Sequence, residues 1–152
     1  MNNSRFTKIS GGISKSIESM LTREKKMQGW LNTVAYKTYQ NAQRKRWMSE
    51  NDSEGLRWKP INALYRQQKL KRFASFPGGG RKTMIATDRL RQSVVGPSPD
   101  HRKLTTTKSI TILTSVPYAN EVDKERTFTT FSDKFKEDLI GKAMAYLAKG
   151  TK

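Results

Sequence analysis

Residues 108–131, KSITILTSVPYANEVDKERTFTTF, alternate at first between apolar and polar positions. Ile110 and Ile112 fall on one face of an extended segment, Thr111 and Leu113 on the other. With β-branched residues dominating, this period of two predicts a strand. Pro117 lacks the N–H that a ladder needs, so the strand ends near Val116, and Tyr118-Ala119 leads off the sheet. The charged stretch Glu121 to Arg126 reads as a loop. Thr127 to Phe131 then reads as a second short β-like run, an antiparallel partner for the first.

The flanks follow a helical period instead. Ile13, Ile17, Met20, Leu21, Met27, Leu31 and Val34 share one face, and the pattern continues through Tyr39, Ala42 and Trp47. It predicts one long helix, or two joined near Gly29, over about residues 13–50, with its stripe in the core. Residues 1–12 are polar, end in Gly11-Gly12 and read as a flexible lead-in. After a turn at 51–55, Leu56 to Ile61 is extended, because the residue before Pro60 is pushed out of the helical region. Asn62 to Phe76 reads as a short helix and an exposed loop. Pro77-Gly78-Gly79-Gly80 breaks the chain and opens a glycine-rich loop over 77–83. Thr87 or Asp88 caps the next helical turn, which buries Leu90 and Val94. Polar residues then lead from Gly96 to the strand.

At the C-terminal end, Ser132 is the expected N-cap and Asp133 lies in the first turn. The stripe Phe135, Leu139, Ile140, Ala143, Met144, Leu147 predicts a helix to Gly150. Together these elements predict a single α+β domain over 1–152. It has a long N-terminal helix, a small mostly antiparallel sheet and a C-terminal helix packed on that sheet. Phe135, Leu139, Ile140 and Met144 are expected against the face that carries Ile110 and Ile112.

Composition changes this picture in two ways. Only 34% of the 152 residues are hydrophobic, which predicts a small core with extended, exposed elements around it. Thirty basic residues against 13 acidic ones give a net charge of +17. Ten of the basic residues fall in each of 1–51, 52–100 and 101–152, so the charge belongs to the folded body and predicts a broad positive face. The chain has no cysteine, which excludes a disulfide framework and a thiolate metal site and suits a reducing cytoplasm. The first residues lack the apolar core of a signal peptide, and no apolar run approaches the roughly 18 residues that span a bilayer. A chain that is soluble until it assembles, with no membrane partner, is the expectation.

Candidate chemistry is sparse. His101, the one histidine, lies in a polar stretch and reads as a surface residue. No HExxH, GxSxG or paired metal-ligand spacing occurs, and the three glycines before Arg81-Lys82 fit neither a Walker loop nor GxGxxG. Lys124 and Arg126 interleave with Glu121, Asp123 and Glu125, which favours salt bridging over a cation site. No enzyme, metal or cofactor is therefore expected. The positive charge suits phosphate neutralisation, yet no RNP aromatics, GxxG clamp or zinc ligands are present, and Trp30, Trp47 and Trp58 form no stacking platform.

The order of several short boxes is more specific. Arg46-Trp47-Met48-Ser49-Glu50, then Gly55-Leu56-Arg57-Trp58-Lys59-Pro60-Ile61, then Lys69 and a glycine-basic loop, resembles the "RF…E…G..W.P" segment of the tail-completion or virion-morphogenesis proteins of tailed phages. Residues 85–94, IATDRLRQSV, resemble that family's "L.DTGRLR.SI" box, with Thr87-Asp88 where the box has Thr-Gly. Val116-Pro117-Tyr118-Ala119 is similar to its "V.YA..H..G" strand end, without the histidine and glycine. Arg126-Thr127-Phe128 followed by Phe131-Ser132-Asp133 resembles "RPFLG.S", with Thr127 in place of proline. The resemblance covers about residues 40–148.

It implies an α+β structural subunit that forms a ring, a hexamer by the family's symmetry, at the head–tail junction. Such a ring completes the tail end or joins it to the neck, touches neck, connector and tail-tube proteins, and surrounds the DNA passage without reading sequence. The implied location is the virion, after assembly in the host cytoplasm. Acidic groups are scarce in this chain, so Glu121, Asp123 and Glu125 with Arg126 are expected to face a neighbouring subunit's cations, Arg89 and Arg91 or the loop with Arg81 and Lys82. Arg81, Lys82, Lys69, Lys71 and Arg72 are the candidates to face DNA in the lumen. The alternative expectation is a stand-alone basic nucleic-acid-binding protein.

Overall fold

The apolar period of the first third folds as α1 (Ser4–Lys25), α2 (Met27–Trp30), a π-helical stretch (Leu31–Ala35) and α3 (Tyr36–Ser49). The structure, a computed structural model, describes residues 4–76, 81–85 and 87–149, with side chains from residue 15. Helix already begins at Ser4, inside the segment expected as a flexible lead-in, and Pro77 to Gly80 of the glycine-rich loop lie outside the described residues. The interruption falls at Lys26 (φ −92°, ψ 4°), not at Gly29. The π turn that follows puts residues five apart on one face, and Trp30 and Ala35 are both buried. The N-terminal part of the stripe is not core: Ile17, Met20 and Leu21 remain about half exposed. Glu50 ends α3 in the left-handed conformation, φ 57°.

Helix α4 (Ala63–Phe73) starts where Asn62 accepts a hydrogen bond from the Tyr65 N–H at 2.7 Å. Helix α5 (Arg89–Val95) follows Asp88, whose carboxylate accepts from Arg91 and makes no capping bond, and it buries Leu90 and Val94 as the pattern predicts. Among the described residues the sheet is a single antiparallel pair, β1 (His101–Thr105) and β2 (Ile110–Thr114), in a register that sets His101 opposite Thr114 and Thr105 opposite Ile110. Ile110 and Ile112 are half-buried, whereas Thr111 and Leu113 face solvent, in the expected alternation.

The partner strand differs from the expectation, and the reason is local. Thr106 Oγ1 accepts from the N–H groups of Lys108 (3.2 Å) and Ser109 (3.0 Å), closing a tight turn between the strands. So short a closure costs little chain entropy compared with reaching residue 127. Thr127 to Phe131 forms no strand because side chains already take its backbone groups. Asp123 Oδ1 accepts from the N–H of Phe128 (2.8 Å) and Thr129 (3.0 Å), and Arg46 donates to the carbonyls of Phe128 and Thr130. The intervening charged segment is helix α6 (Ala119–Glu125), not a loop, with Ala119 buried and Val122 half-buried three residues apart.

One cluster of buried residues joins these elements: Trp47, Trp58, Leu90, Val94, Val116 and Phe128 at its centre, with Ile85, Val95 and Ala119 around them. Trp47 meets Trp58 edge to face at 5.2 Å and lies 5.6 Å from the Phe128 ring. All three tryptophans are buried.

Helix α7 (Asp133–Lys149) is capped by Ser132, whose Oγ accepts from the Phe135 N–H at 3.2 Å. Its two ends are held. Phe135 stacks on Phe131 at 4.6 Å, Tyr146 on Trp30 at 6.2 Å, and Arg23 Nη1 donates to the carbonyl of Ala148 at 2.7 Å. Its middle does not close on the sheet. Phe135, Leu139 and Ile140 face Ile110 and Ile112 across a groove of about 710 Å³. No α7 residue is buried, and Met144, expected on the sheet, is 64% exposed. The α+β class with long terminal helices follows the pattern; the close packing of α7 does not.

Candidate functional site

Three arginines with no carboxylate partner among the described residues gather beside Trp58. Asp52 Oδ1 accepts from the N–H of Glu54 and of Leu56, both at 2.9 Å, and Gly55 turns the chain at φ 85°. The Trp58 N–H then donates to the Glu50 carbonyl at 2.7 Å, so this tight turn sets Arg57 and Trp58 beside the end of α3. Arg66 reaches the same place from the first turns of α4, and Arg81 from the segment that returns after the glycine-rich loop. Arg57, Arg66 and Arg81 thus line one pocket of about 270 Å³, walled by Trp58, Pro60 and Ile61.

Behind the pocket, Lys69 acts as a clamp. The residue is 2% exposed, and its ammonium donates to the carbonyls of Lys82 and Thr83. Glu50 accepts from the Thr83 N–H, and Lys82 Nζ donates to the Met48 carbonyl at 2.5 Å. These bonds fix residues 82–83 against the end of α3. Burial pushes the Lys69 ammonium down to about 8; the Glu50 charge opposes that shift and Arg126 adds to it. Lys69 is therefore not a lumen-facing cation in this chain, because its charge is used on its own backbone. Lys82 is half-buried and similarly engaged. Lys71 and Arg72 are exposed on α4, Arg72 lying over the Phe73 ring at 5.5 Å, and Arg81 is exposed at the pocket. Of the five residues expected to face DNA, Lys71, Arg72 and Arg81 stand free to do so. Arg57 and Arg66 are the members sequence reasoning missed. Nothing in their spacing marks them, since three separate segments bring the three arginines together.

The interface set also divides. Arg89 pairs with Asp100 through two bonds, 2.6 and 2.9 Å, and Arg91 with Asp88 at 2.6 Å through Nε. Each guanidinium is held charged by that partner. Asp123 is committed to the Phe128 and Thr129 N–H groups and to Thr129 Oγ1 at 2.6 Å. Arg126 Nε donates to the Lys59 carbonyl at 2.8 Å. Glu121 and Glu125 remain exposed, Glu121 paired with Lys124 at 2.8 Å. The expected acidic patch is thus two glutamates on α6, since the Asp123 carboxylate is a bracket for its own chain.

His101 is more than a surface residue. Its Nδ1 lies 2.8 Å from the Ser93 carbonyl, which can only accept, so Nδ1 donates. Its Nε2 meets the Tyr36 hydroxyl at 2.8 Å. The histidine thereby ties β1 to α3 and α5. Among the described residues, no group of three or more His, Cys, Asp or Glu side chains could hold a metal ion, and no helix is long and apolar enough to cross a membrane.

Compared with protein-family models, with curated proteins and with solved structures, the chain matches none of them.

Proposed function

We propose that this chain is a structural, non-catalytic subunit of a tailed-phage particle. In this reading it forms a closed ring at the head–tail junction that completes the tail end or joins it to the neck. The observation that carries the reading is the backbone of Asp88. This residue stands where the resembled box "L.DTGRLR.SI" has glycine, and it adopts φ 66°, a conformation glycine takes freely and aspartate tolerates better than most. A position that looks like a departure in sequence is thus a position where glycine's geometry is kept.

Two further features support it. The stretches that carry the resemblance supply most of the core: Trp47 and Trp58 from the first, Ile85, Leu90 and Val94 from the second, Val116 and Ala119 from the third, Phe128 from the fourth. The described residues also leave a surplus of apolar surface uncovered, with Ile17, Met20, Leu21, Ile140 and Met144 all exposed. Uncovered apolar positions on α1, on α7 and along the groove contribute to that surplus, as in a subunit whose neighbours complete its burial.

The test is native mass measurement of the purified protein, paired with electron microscopy of lysates from phage lacking the chain. A ring, together with heads and tails left unjoined, is expected. A persistent monomer that binds short duplex DNA tightly, with affinity falling steeply as salt rises, would replace this reading with that of a stand-alone nucleic-acid-binding protein.

A further inference from the structure

We propose that Arg57, Arg66 and Arg81 form a phosphate-binding pocket. Three arginines from three separate segments line one cavity, and among the described residues none of their guanidinium groups has a carboxylate or carbonyl acceptor. Outside the pocket the described arginines divide: Arg44, Arg72 and Arg102 stand singly at exposed positions, and the other five are paired. Arg23, Arg46, Arg89, Arg91 and Arg126 each donate to such an acceptor. Like charges converging without a counter-ion repel one another, and an oxyanion is the ligand that reverses the sign of that interaction. Guanidinium forks also match its geometry.

The pocket's one carboxylate does not cancel this. Glu50 accepts from the Thr83 N–H, and its charge faces the buried Lys69 ammonium behind it. Three cations at the pocket stand against one anion that already has a cation of its own. The scaffold is stiff where it matters: the Asp52-bonded turn holds Arg57, the Asn62-capped helix start holds Arg66, and the Lys69 clamp fixes the residues that follow Arg81. A volume of about 270 Å³ falls below the roughly 300 Å³ at which sites for drug-sized ligands begin. It suits a phosphate group, with Trp58, Pro60 and Ile61 as an apolar wall, and leaves no room to bury a base. The pocket is a property of the single chain and holds whether or not the chain forms rings.

A phosphate group has two sources, a free anion or the backbone of a nucleic acid, and calorimetric titration separates them. Inorganic phosphate and, separately, a short DNA duplex are titrated into the full chain in a phosphate-free buffer of low ionic strength. The variant Arg57→Gln/Arg66→Gln/Arg81→Gln is compared with Arg44→Gln/Arg102→Gln/Lys108→Gln, which removes the same charge from exposed positions elsewhere. Each lost charge-assisted bond weakens an anion about tenfold. Phosphate binding retained by the control and lost from the pocket variant identifies a free-anion site. Binding seen only with duplex, and weakened at least tenfold more by the pocket changes than by the control changes, identifies a phosphodiester. Equal losses in the two variants, or no binding of either probe, overturns the proposal. Single Arg81→Gln, at an exposed position, serves the same comparison against single Arg102→Gln where the triple variant melts early.

Discussion

Arg46 of α3 donates from Nη1 to the main-chain carbonyl of Phe128, with both residues buried, and from Nη2 to that of Thr130 at 2.7 Å. Gln43 adds a second donor to the Phe128 carbonyl at 3.0 Å. The guanidinium also lies over the Phe131 ring, 5.2 Å from its centroid. One side chain thereby replaces the ladder that residues 127–131 would otherwise need. Arg46→Met keeps the stem but leaves a buried carbonyl without its charged donor. It should cost about 2–3 kcal/mol in urea denaturation. Arg46→Lys, without the fork, should recover less than half of that loss; full recovery would mean that charge alone matters at this position.

Gly96 should tolerate no side chain. Its φ is 64°, and a methyl group added there would sit 3.0 Å from the Tyr36 hydroxyl oxygen and 3.1 Å from the His101 ring. Both obstacles are tied to each other by the Tyr36–His101 hydrogen bond, so neither moves freely. Gly96→Ala should destabilise the chain by about 1–3 kcal/mol, read from thermal or urea melts. Gly29→Ala provides the contrast: nothing lies within 4 Å of the added carbon, and a helical alanine is favoured over glycine by about 1 kcal/mol.

Lys69 gives stability a pH dependence of defined sign. Its folded-state value of about 8 lies below the usual 10.5, so the unfolded chain binds more protons between those limits. Stability contributed at this site therefore rises from about pH 8 upward and is lowest below that, where a charged ammonium must stay buried. Tyr39, held above its usual 10.0 by burial, opposes the trend beyond pH 10, so the clean window is pH 8 to 10. Urea melts across that window should show the wild type gaining on Lys69→Met, whose buried side chain carries no proton. A constant difference between the two would show that Lys69 titrates normally.

The helices were legible in sequence wherever period, cap and breaker agreed. Ser132 caps α7, Leu90 and Val94 are buried in α5, and the strand from Ile110 ends before Pro117. What sequence could not convey was the use of side chains on distant backbone. Asp123 looks like surface charge but binds the N–H groups of Phe128 and Thr129, and Lys69 looks like one cation among many but clamps residues 82–83. The basic pocket was hidden for the same reason, since Arg57, Arg66 and Arg81 meet only after three segments fold together.

Burial decides how two large side chains respond to truncation. Phe128 is 1% exposed and packs against Trp47, so Phe128→Ala should cost about 3–5 kcal/mol. Leu139 lines an open groove and is only half-buried, so Leu139→Ala should cost about 1 kcal/mol in the free chain. A partner that fills the groove would raise that second figure. Measured on the assembled particle, Leu139→Ala should therefore weaken more than the monomer's melting curve suggests; equal effects in both settings would leave the groove an open surface.

The acidic residues of α6 need a test that respects their different tasks. Reversing all three would confound folding with assembly, because Asp123 accepts three hydrogen bonds from its own chain. Asp123→Ala strands two backbone N–H groups beside the Phe128 core and should destabilise the monomer by about 2–3 kcal/mol. Glu121 and Glu125 carry no such duty. The Glu121–Lys124 pair is exposed on both sides, and pairs of that kind contribute little to folding. Glu121→Lys/Glu125→Lys should therefore leave the circular dichroism spectrum and the melting midpoint of the free chain close to wild type. If α6 faces a neighbour's cations, the same double reversal sets like charges across a closing interface, where charge governs register and orientation. Native mass measurement should then show monomer in place of ring. A double variant that assembles normally would remove α6 from the interface and leave the groove between α7 and the β hairpin as the surface to probe next.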